Sequence, residues 1–339
     1  MTTQNQLRLI LLINFITLFG LACGWGMPTT SRPPSDAPVF VTVTPKADQG
    51  VDRDADASST IAYTADNSTG QEVSEGVKSL GQVMILEYHL IGDENNELQR
   101  TPDTFRTDLE RLHQQGYTPV NLIDMMGGFP DLPVGKKPII LTFDDSHISQ
   151  FHLLPNGELD PDSAVGILYQ FHLDHPNDWP LRATFFVLLD NGLDGTLFGQ
   201  PDLANQKLSW LVEQGFEIGS HTVTHVDLAQ SDGYTVVEEL AESQRRLEAM
   251  LPGYDVRSFA VPYGSLPLNE DYLMAGYYDG AWYTYENSVL AWGGPAPSPH
   301  SEDFKPFRLP RIPVTDSEFD YWTTYFEQNP NAYYKQGFE

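Results

Sequence analysis

Cysteine is nearly absent: the 339 residues contain one, Cys23. That excludes a disulfide framework and a thiolate metal site from the folded part of the chain, so any metal must be held by histidine and carboxylate. Basic residues are scarce too, 19 against 47 acidic, for a formal net charge of −28. Nucleic acid is excluded as a partner, because binding phosphates needs clustered Lys and Arg. A neutral or cationic partner fits that balance, and most of the charge reads as a solvated surface. Aromatic residues, at 12%, suffice for a sizeable core in one large domain or two small ones.

Near the start, the single basic residue Arg8 precedes Leu9 to Ala22, a run apolar except for Asn14 and Thr17 that closes on Cys23. This is the layout of a bacterial export signal. Gly20-Leu21-Ala22-Cys23-Gly24 resembles a lipoprotein signal-peptidase site with Gly20 where Leu is usual. Residues 1–23 are therefore expected to be a lipoprotein-type signal peptide with Cys23 lipidated, against a plain secretory signal or an uncleaved anchor. Each version places the rest outside the cytoplasm, membrane-anchored by a lipid or secreted, with no other membrane contact. Residues 24–78, rich in Thr, Pro, Ser and Asp, are expected to form a disordered tether with a reach of about 40 Å. The folded domain is expected over 79–339, as a monomer.

Strands and helices alternate through that domain, the pattern of a parallel sheet or barrel. Val83 to His89 reads as a strand running into a histidine. Thr101-Pro102 starts a helix with Phe105, Leu109 and Leu112 on one face and a stop at Gly116. Lys137 to Phe143 reads as a strand buried on both faces, ending in Asp144-Asp145. Residues 146–180 form a long mixed insertion before the buried strand Ala183 to Leu189. A helix with Leu203, Leu208, Leu211 and Val212 stops at Gly215, and Phe216 to Ser220 is a strand leading to His221. Another helix follows over Tyr234 to Met250, then a strand from Arg257 to Val261. Gly280 to Tyr283 and Phe307 to Leu309 are expected as the last strands, and Thr315 to Glu318 as a capping box that opens a helix with Phe319, Trp322 and Phe326.

Chemistry in such folds gathers where strands end. Adjacent strand residues face opposite ways, so Asp144 and Asp145 are expected to do different jobs. His221-Thr222-Val223-Thr224-His225 sets two imidazoles four apart, close enough to share one ion if the segment is helical or tightly turned. Thr222 stands where a zincin helix would carry Glu, which excludes that protease. Two His plus a carboxylate from the Asp pair, with an open position, is a common catalytic metal arrangement.

Thr142-Phe143-Asp144-Asp145, Ser220-His221-Thr222-Val223-Thr224-His225 and Val261-Pro262-Tyr263-Gly264 resemble, in that order, the signature segments of the polysaccharide deacetylases, the NodB-type carbohydrate esterases. The resemblance covers about Leu80 to Val314. It implies a distorted (β/α) barrel of about seven parallel strands and hydrolysis of N-acetyl groups from an extracellular N-acetylglucosamine polymer. It further implies Asp145, His221 and His225 as ligands of a divalent metal, zinc before cobalt or nickel, Asp144 as general base, and the Tyr263 N–H in the oxyanion hole. Two departures stand out. Ala260 occupies the place where many members carry an Arg set against the catalytic Asp, with Arg308 or Arg311 as replacements. No Leu-x-His segment follows near the C-terminus, whereas Leu86-Glu87-Tyr88-His89 resembles the Tyr-His segment of the poly-β-1,6-N-acetylglucosamine deacetylases, which implies His89 as general acid. The alternatives are a non-catalytic polysaccharide-binding lipoprotein on the same fold and a metal-dependent amidase with another substrate.

Weaker candidates are His172-Leu173-Asp174-His175 as a second metal site and Trp282, Tyr283, Tyr285 and Trp292 as sugar-stacking rings. His113, opposite the apolar stripe of its helix, is expected to be exposed, and His147 to border the site.

Overall fold

The computed structural model describes residues 80–190 and 197–337, all within the unit Phe40–Glu339. The expected signal peptide and tether lie outside the described residues, among which no helix is long and apolar enough to cross a membrane. The first half of the domain runs β1 (Ile85–Tyr88), α1 (Pro102–Gln114), β2 (Tyr117–Val120), β3 (Lys137–Phe143), α2 (Ala164–Asp174), β4 (Thr184–Val187) and α3 (Ala204–Gln214). The second runs β5 (Glu217–Ser220), α4 (Gly233–Met250), β6 (Ser258–Ala260), β7 (Ala275–Tyr278), β8 (Ala281–Thr284), β9 (Asn287–Gly293), β10 (Leu309–Pro313) and α5 (Asp316–Gln328).

Seven of these strands close into an all-parallel barrel in the order β1, β10, β9, β6, β5, β4, β3 and back to β1. β3 is its central stave. Every residue after Lys137 is buried, and the strand pairs with β1 on one edge while β2 and then β4 share the other. A strand with both faces covered has no polar side, which is why Pro138-Ile139-Ile140-Leu141 carries no alternation. α1 forms as expected: Thr101 Oγ1 accepts from Thr104 N, Pro102 begins the first turn, and Phe105, Leu109 and Leu112 are buried. Phe105 meets Tyr88 edge-on at 5.0 Å, fastening α1 to β1. Gly215 ends α3 in the left-handed region at φ 98. α5 is capped by Thr315, whose Oγ1 accepts from Glu318 N.

Three expectations need correction. The segment Gly280 to Tyr283 does not enter the barrel: β8 pairs antiparallel with β7 in a hairpin outside it. The barrel place belongs to β9, whose opening Asn287-Ser288 looks polar yet is fully buried, with Asn287 donating to Ser258 Oγ at 2.8 Å and Ser288 to the Phe307 carbonyl. The last strand is Leu309–Pro313, and Phe307 lies in a 3₁₀ turn before it. Pro310 and Pro313 obscure this strand because proline cannot donate to a ladder, and the register against β9 shifts between Val289 and Gly293. Finally, the insertion over 146–180 contains α2, opened by Ser163, whose Oγ accepts from Gly166 N.

Candidate metal centre and its surroundings

The C-terminal ends of five barrel strands supply the site. Alternation along β1 turns Tyr88 out against α1 and Glu87 inward; His89 follows directly at the strand end. β3 ends with Phe143, stacked on Tyr88 and Phe185, and Asp144, whose N–H donates to the Tyr88 carbonyl. Asp145 then leaves the strand at φ 76, so the two carboxylates separate as their adjacency requires. β5 delivers His221, β6 leads to Pro262-Tyr263, and β10 contributes Arg311.

Backbone strain concentrates here. Eight described non-glycine residues have positive φ, and five of them are Asp145, Ser146, Thr222, His225 and Tyr263. Such conformations cost energy and persist only where the surroundings hold them. For the His221 to His225 segment the holder is Glu239 of α4. Its carboxylate accepts from Val223 N at 2.8 Å, Thr224 N at 3.0 Å and Thr224 Oγ1 at 2.6 Å. The segment is therefore a turn, the second of the two geometries that the spacing allowed.

The turn brings Asp145, His221 and His225 together. His221 Nε2 and His225 Nε2 are 3.1 Å apart, and Asp145 Oδ1 lies 3.4 Å and 3.6 Å from them. Tetrahedral zinc with bonds of 2.0–2.1 Å requires ligand atoms about 3.4 Å apart, so the residues present fit such an ion. Two further observations point the same way. Asp145 Oδ1 is buried without a hydrogen-bond partner. His221 Nδ1 donates to the Ala260 carbonyl at 2.9 Å, which directs the Nε2 lone pair at its two neighbours, the usual second contact of a metal-binding imidazole. Burial lowers His221, but Asp144 and then Asp145 outweigh it and raise its pKa; burial and the His221 charge lower that of His225.

Asp144 is a neighbour of this cluster, 3.8 Å from His221 Nε2, and its own partner is Arg311. The guanidinium grips it bidentately, Nη1 to Oδ1 at 2.8 Å and Nη2 to Oδ2 at 2.7 Å. Arg311 also donates to Glu87 Oε1 at 2.7 Å, Thr142 Oγ1 at 3.0 Å and the Leu290 carbonyl at 2.7 Å. Of the two replacements for the arginine missing at Ala260, Arg311 makes this contact and Arg308 does not, since it pairs with Glu270 at the surface. Burial would raise Asp144, yet Arg311 and His221 hold it well below the usual carboxylate range. Glu87 is the other half of the arrangement: burial, offset only in part by Arg311 and reinforced by the Asp144 charge, pushes it up to about 8.

His89 completes a second group, its ligand atom within 4.8 Å of those of Glu87 and Asp144 and its Nε2 4.0 Å from Glu87 Oε1. Burial lowers its pKa against the pull of Asp144 and Asp145. Tyr263 sits at φ 57 with its ring edge-on to His225 at 4.5 Å and its side chain exposed. Every residue expected at the site is thus at the strand ends.

Glu87, Gln150 and Glu239 went unnoticed in the sequence. Gln150, fully buried inside the insertion, donates to the backbone carbonyls of both Asp144 and His89 and so ties β3 to β1. A lone Gln in an aperiodic stretch carries no signal. Among the weaker candidates, Tyr283 and Tyr285 are buried in the core, whereas Trp282 and Trp292 are more than half exposed. His147 Nδ1 pairs with Ser149 Oγ, whose oxygen also accepts from Ile91 N. His113 is half-buried rather than exposed, paired with Asp178. His172 donates to the Trp179 carbonyl and, among the described residues, shares no candidate metal group with His175, which instead lies with His113 and Asp178.

The closed parallel barrel, with an Asp pair and a His-x-x-x-His turn at its strand ends, is consistent with the NodB-like (β/α) barrel fold. Residues 131–276 match the family model described as polysaccharide deacetylase. His89 and Arg311 lie outside the matched span. The chitooligosaccharide deacetylase of Bradyrhizobium sp. (strain ANU 289) is 30% identical over 131 residues, 38% of this chain and 48% of that one. That of Sinorhizobium fredii (strain NBRC 101917 / NGR234) is 28% identical over 142 residues, 42% and 54% of the two chains. The chain spans about half the length of the curated relatives it matches. Among solved structures, the deacetylase PplD of Streptococcus pyogenes, in complex with acetate, superposes with a TM-score of 0.55 at 20% identity, covering 73% of this chain and 98% of that one. A polysaccharide deacetylase from Bacillus cereus gives 0.53 at 21%, covering 72% and 69%, and IcaB from Ammonifex degensii 0.51 at 18%, covering 73% and 97%. At these identities the likeness speaks for the fold.

Proposed function

We propose that this protein is a metal-dependent N-deacetylase of an extracytoplasmic N-acetylglucosamine-containing polysaccharide, releasing acetate and leaving a free amine. The observation that carries the reading is the buried, unpartnered Asp145 Oδ1 facing two imidazole nitrogens, with a second carboxylate, Asp144, 3.8 Å from one of those nitrogens and fixed by a guanidinium. Asp145, His221 and His225 hold the ion. A divalent ion there supplies Lewis acidity, acidifying water and polarising an acetamide carbonyl.

The chain's own groups do the rest. Asp144, its carboxyl held well below the usual range by Arg311 and His221 against the effect of burial, takes the proton of the attacking water. The fork fixes its orientation, so no reorientation is needed during the reaction. The Tyr263 N–H, on a left-handed residue beside His225, donates to the developing oxyanion. His89 gives the departing nitrogen the proton without which an amide anion would have to leave. Burial makes protonated His89 a stronger acid than a free imidazolium, and Glu87, pushed up to about 8, holds a proton beside it at neutral pH. The names of the curated relatives support a chitooligosaccharide or related glycan as substrate.

The missing arginine at Ala260 and the missing C-terminal Leu-x-His segment favour a non-catalytic binding protein. Arg311, which grips Asp144 from another strand, speaks against the first of these grounds, and His89 beside Asp144 against the second. The test is acetate release from N-acetylglucosamine oligomers, poly-β-1,6-N-acetylglucosamine, peptidoglycan and acetylated xylan. Release is expected from an N-acetylated glycan, lost on chelation and restored by zinc. Glycan binding with no release from any substrate at full metal loading would overturn the reading.

A further inference from the structure

On the outer layer of the barrel, His113 in the last turn of α1 meets His175, the C-cap of α2, and Asp178 in the turn beyond it. His113 Nε2 lies 3.0 Å from Asp178 Oδ2. The two imidazole rings are 4.1 Å apart between centroids and tilted by 43°. One ligand atom from each of the three residues falls within 4.8 Å of the others.

An ordinary ion pair accounts for His113 and Asp178 but not for the second imidazole drawn against the first. The turn is built to present His175 and Asp178 to His113. Trp179 N donates to the His175 carbonyl, and His172 Nδ1 donates to the Trp179 carbonyl at 2.7 Å, which folds residues 175–179 back towards α1. Phe171 and Trp179 stand edge-on to the His113 ring, both at 5.9 Å, and shield one side from water. Two imidazoles and a carboxylate from two chain segments, with an exposed side left for water, are a donor set suited to zinc and neighbouring transition ions rather than to calcium or magnesium.

We propose that His113, His175 and Asp178 form a second divalent transition-metal site, separate from the strand-end centre, that clamps α1 to the end of α2. Tetrahedral spacing of about 3.4 Å requires the 3.0 Å pair to open slightly and His175, within 4.8 Å of its partners, to close by side-chain movement on the order of 1 Å. The ion binds the folded arrangement and not the unfolded chain, so it raises the melting temperature without entering the reaction.

The experiment removes the strand-end site first. Full-length protein carrying His221→Ala and His225→Ala is equilibrated with zinc chloride, freed of excess by gel filtration and assayed for metal by mass spectrometry. One zinc per chain is expected, with a rise in melting temperature of several degrees. Adding His113→Gln and His175→Gln should remove both the zinc and the rise. Asp178→Asn alters an exposed side chain and leaves the fold intact; it should weaken zinc retention at least tenfold. Absence of zinc from the first protein, or retention unchanged by Asp178→Asn, overturns the proposal.

Discussion

Arg311→Met isolates the group on which the whole site depends. Arg311 is 1% exposed, as is Asp144, and Glu87 is 4% exposed. The substitution removes five hydrogen bonds and so uses up every N–H that the guanidinium had placed. Removing one partner of a buried ion pair costs about 3–5 kcal/mol, because the other charge stays buried without compensation. Glu87, pushed up to about 8, is largely neutral at pH 7, so only the Asp144 charge is orphaned. That places the loss near the lower figure, about 3 kcal/mol, which at 2–4 °C per kcal/mol lowers the melting temperature by about 6–12 °C.

The same change moves the chemistry. Without Arg311, burial dominates at Asp144 and its pKa rises from far below the usual range, so the acid limb of kcat shifts to higher pH. The assay is thermal melting together with acetate release from about pH 5 to 9 at saturating zinc. Arg311→Lys keeps the charge but not the fork and should fall between wild type and Met. The double variant Asp144→Asn, Arg311→Met should regain part of the stability lost by the single one, since no charge is then stranded. An Arg311→Met protein that melts within about 2 °C of wild type and keeps the acid limb in place would refute the reasoning.

Three further outcomes follow from other contacts. Glu239→Gln takes the charge from three bonds that hold the Thr222 to His225 turn and should weaken zinc binding about 10- to 100-fold without touching the ion, measured by competition with a chelating dye. His89→Ala should keep its zinc while turnover falls about 100-fold or more; loss of zinc with it would make His89 a ligand instead. The third concerns pH: His221 has its folded pKa raised above 6.5, so the stability it contributes is complete below that value and is lost as pH rises through the raised pKa. Metal-free protein should therefore lose melting temperature over that window. Zinc needs the neutral imidazole and should bind more tightly over the same window, which parallel titrations at pH 6 and 8 would show and a pH-independent affinity would contradict.

How much of this was legible in the sequence depended on whether a residue sits beside a pattern. The Ile139-Ile140-Leu141 run, the Phe105, Leu109 and Leu112 stripe and the Thr315 N-cap express one rule each, and each element formed where its rule put it. β9 and β10 broke the rules locally. Asn287 and Ser288 are buried polar residues whose side chains donate to Ser258 Oγ and to the Phe307 carbonyl, 29 and 19 residues away, and two prolines sit in a strand whose ladder shifts register. Asp144, Asp145, His221 and His225 were visible because they stand at strand ends in recognisable spacing. Arg311 was one of two choices, and only the position of β10 between β1 and β9 decides between them. Glu87, Gln150 and Glu239 act through contacts separated by up to 224 residues, as in the Arg311 to Glu87 bond, and no local spacing records such a meeting.

The central claim is that Asp145 and the two histidines hold an ion while Asp144 does the proton transfer. Asp144→Asn, with zinc content and acetate release measured on the same sample, tests that division most directly. The account predicts zinc unchanged and turnover reduced by about 10²- to 10⁴-fold. Turnover at the wild-type level, or zinc lost together with activity, would contradict it.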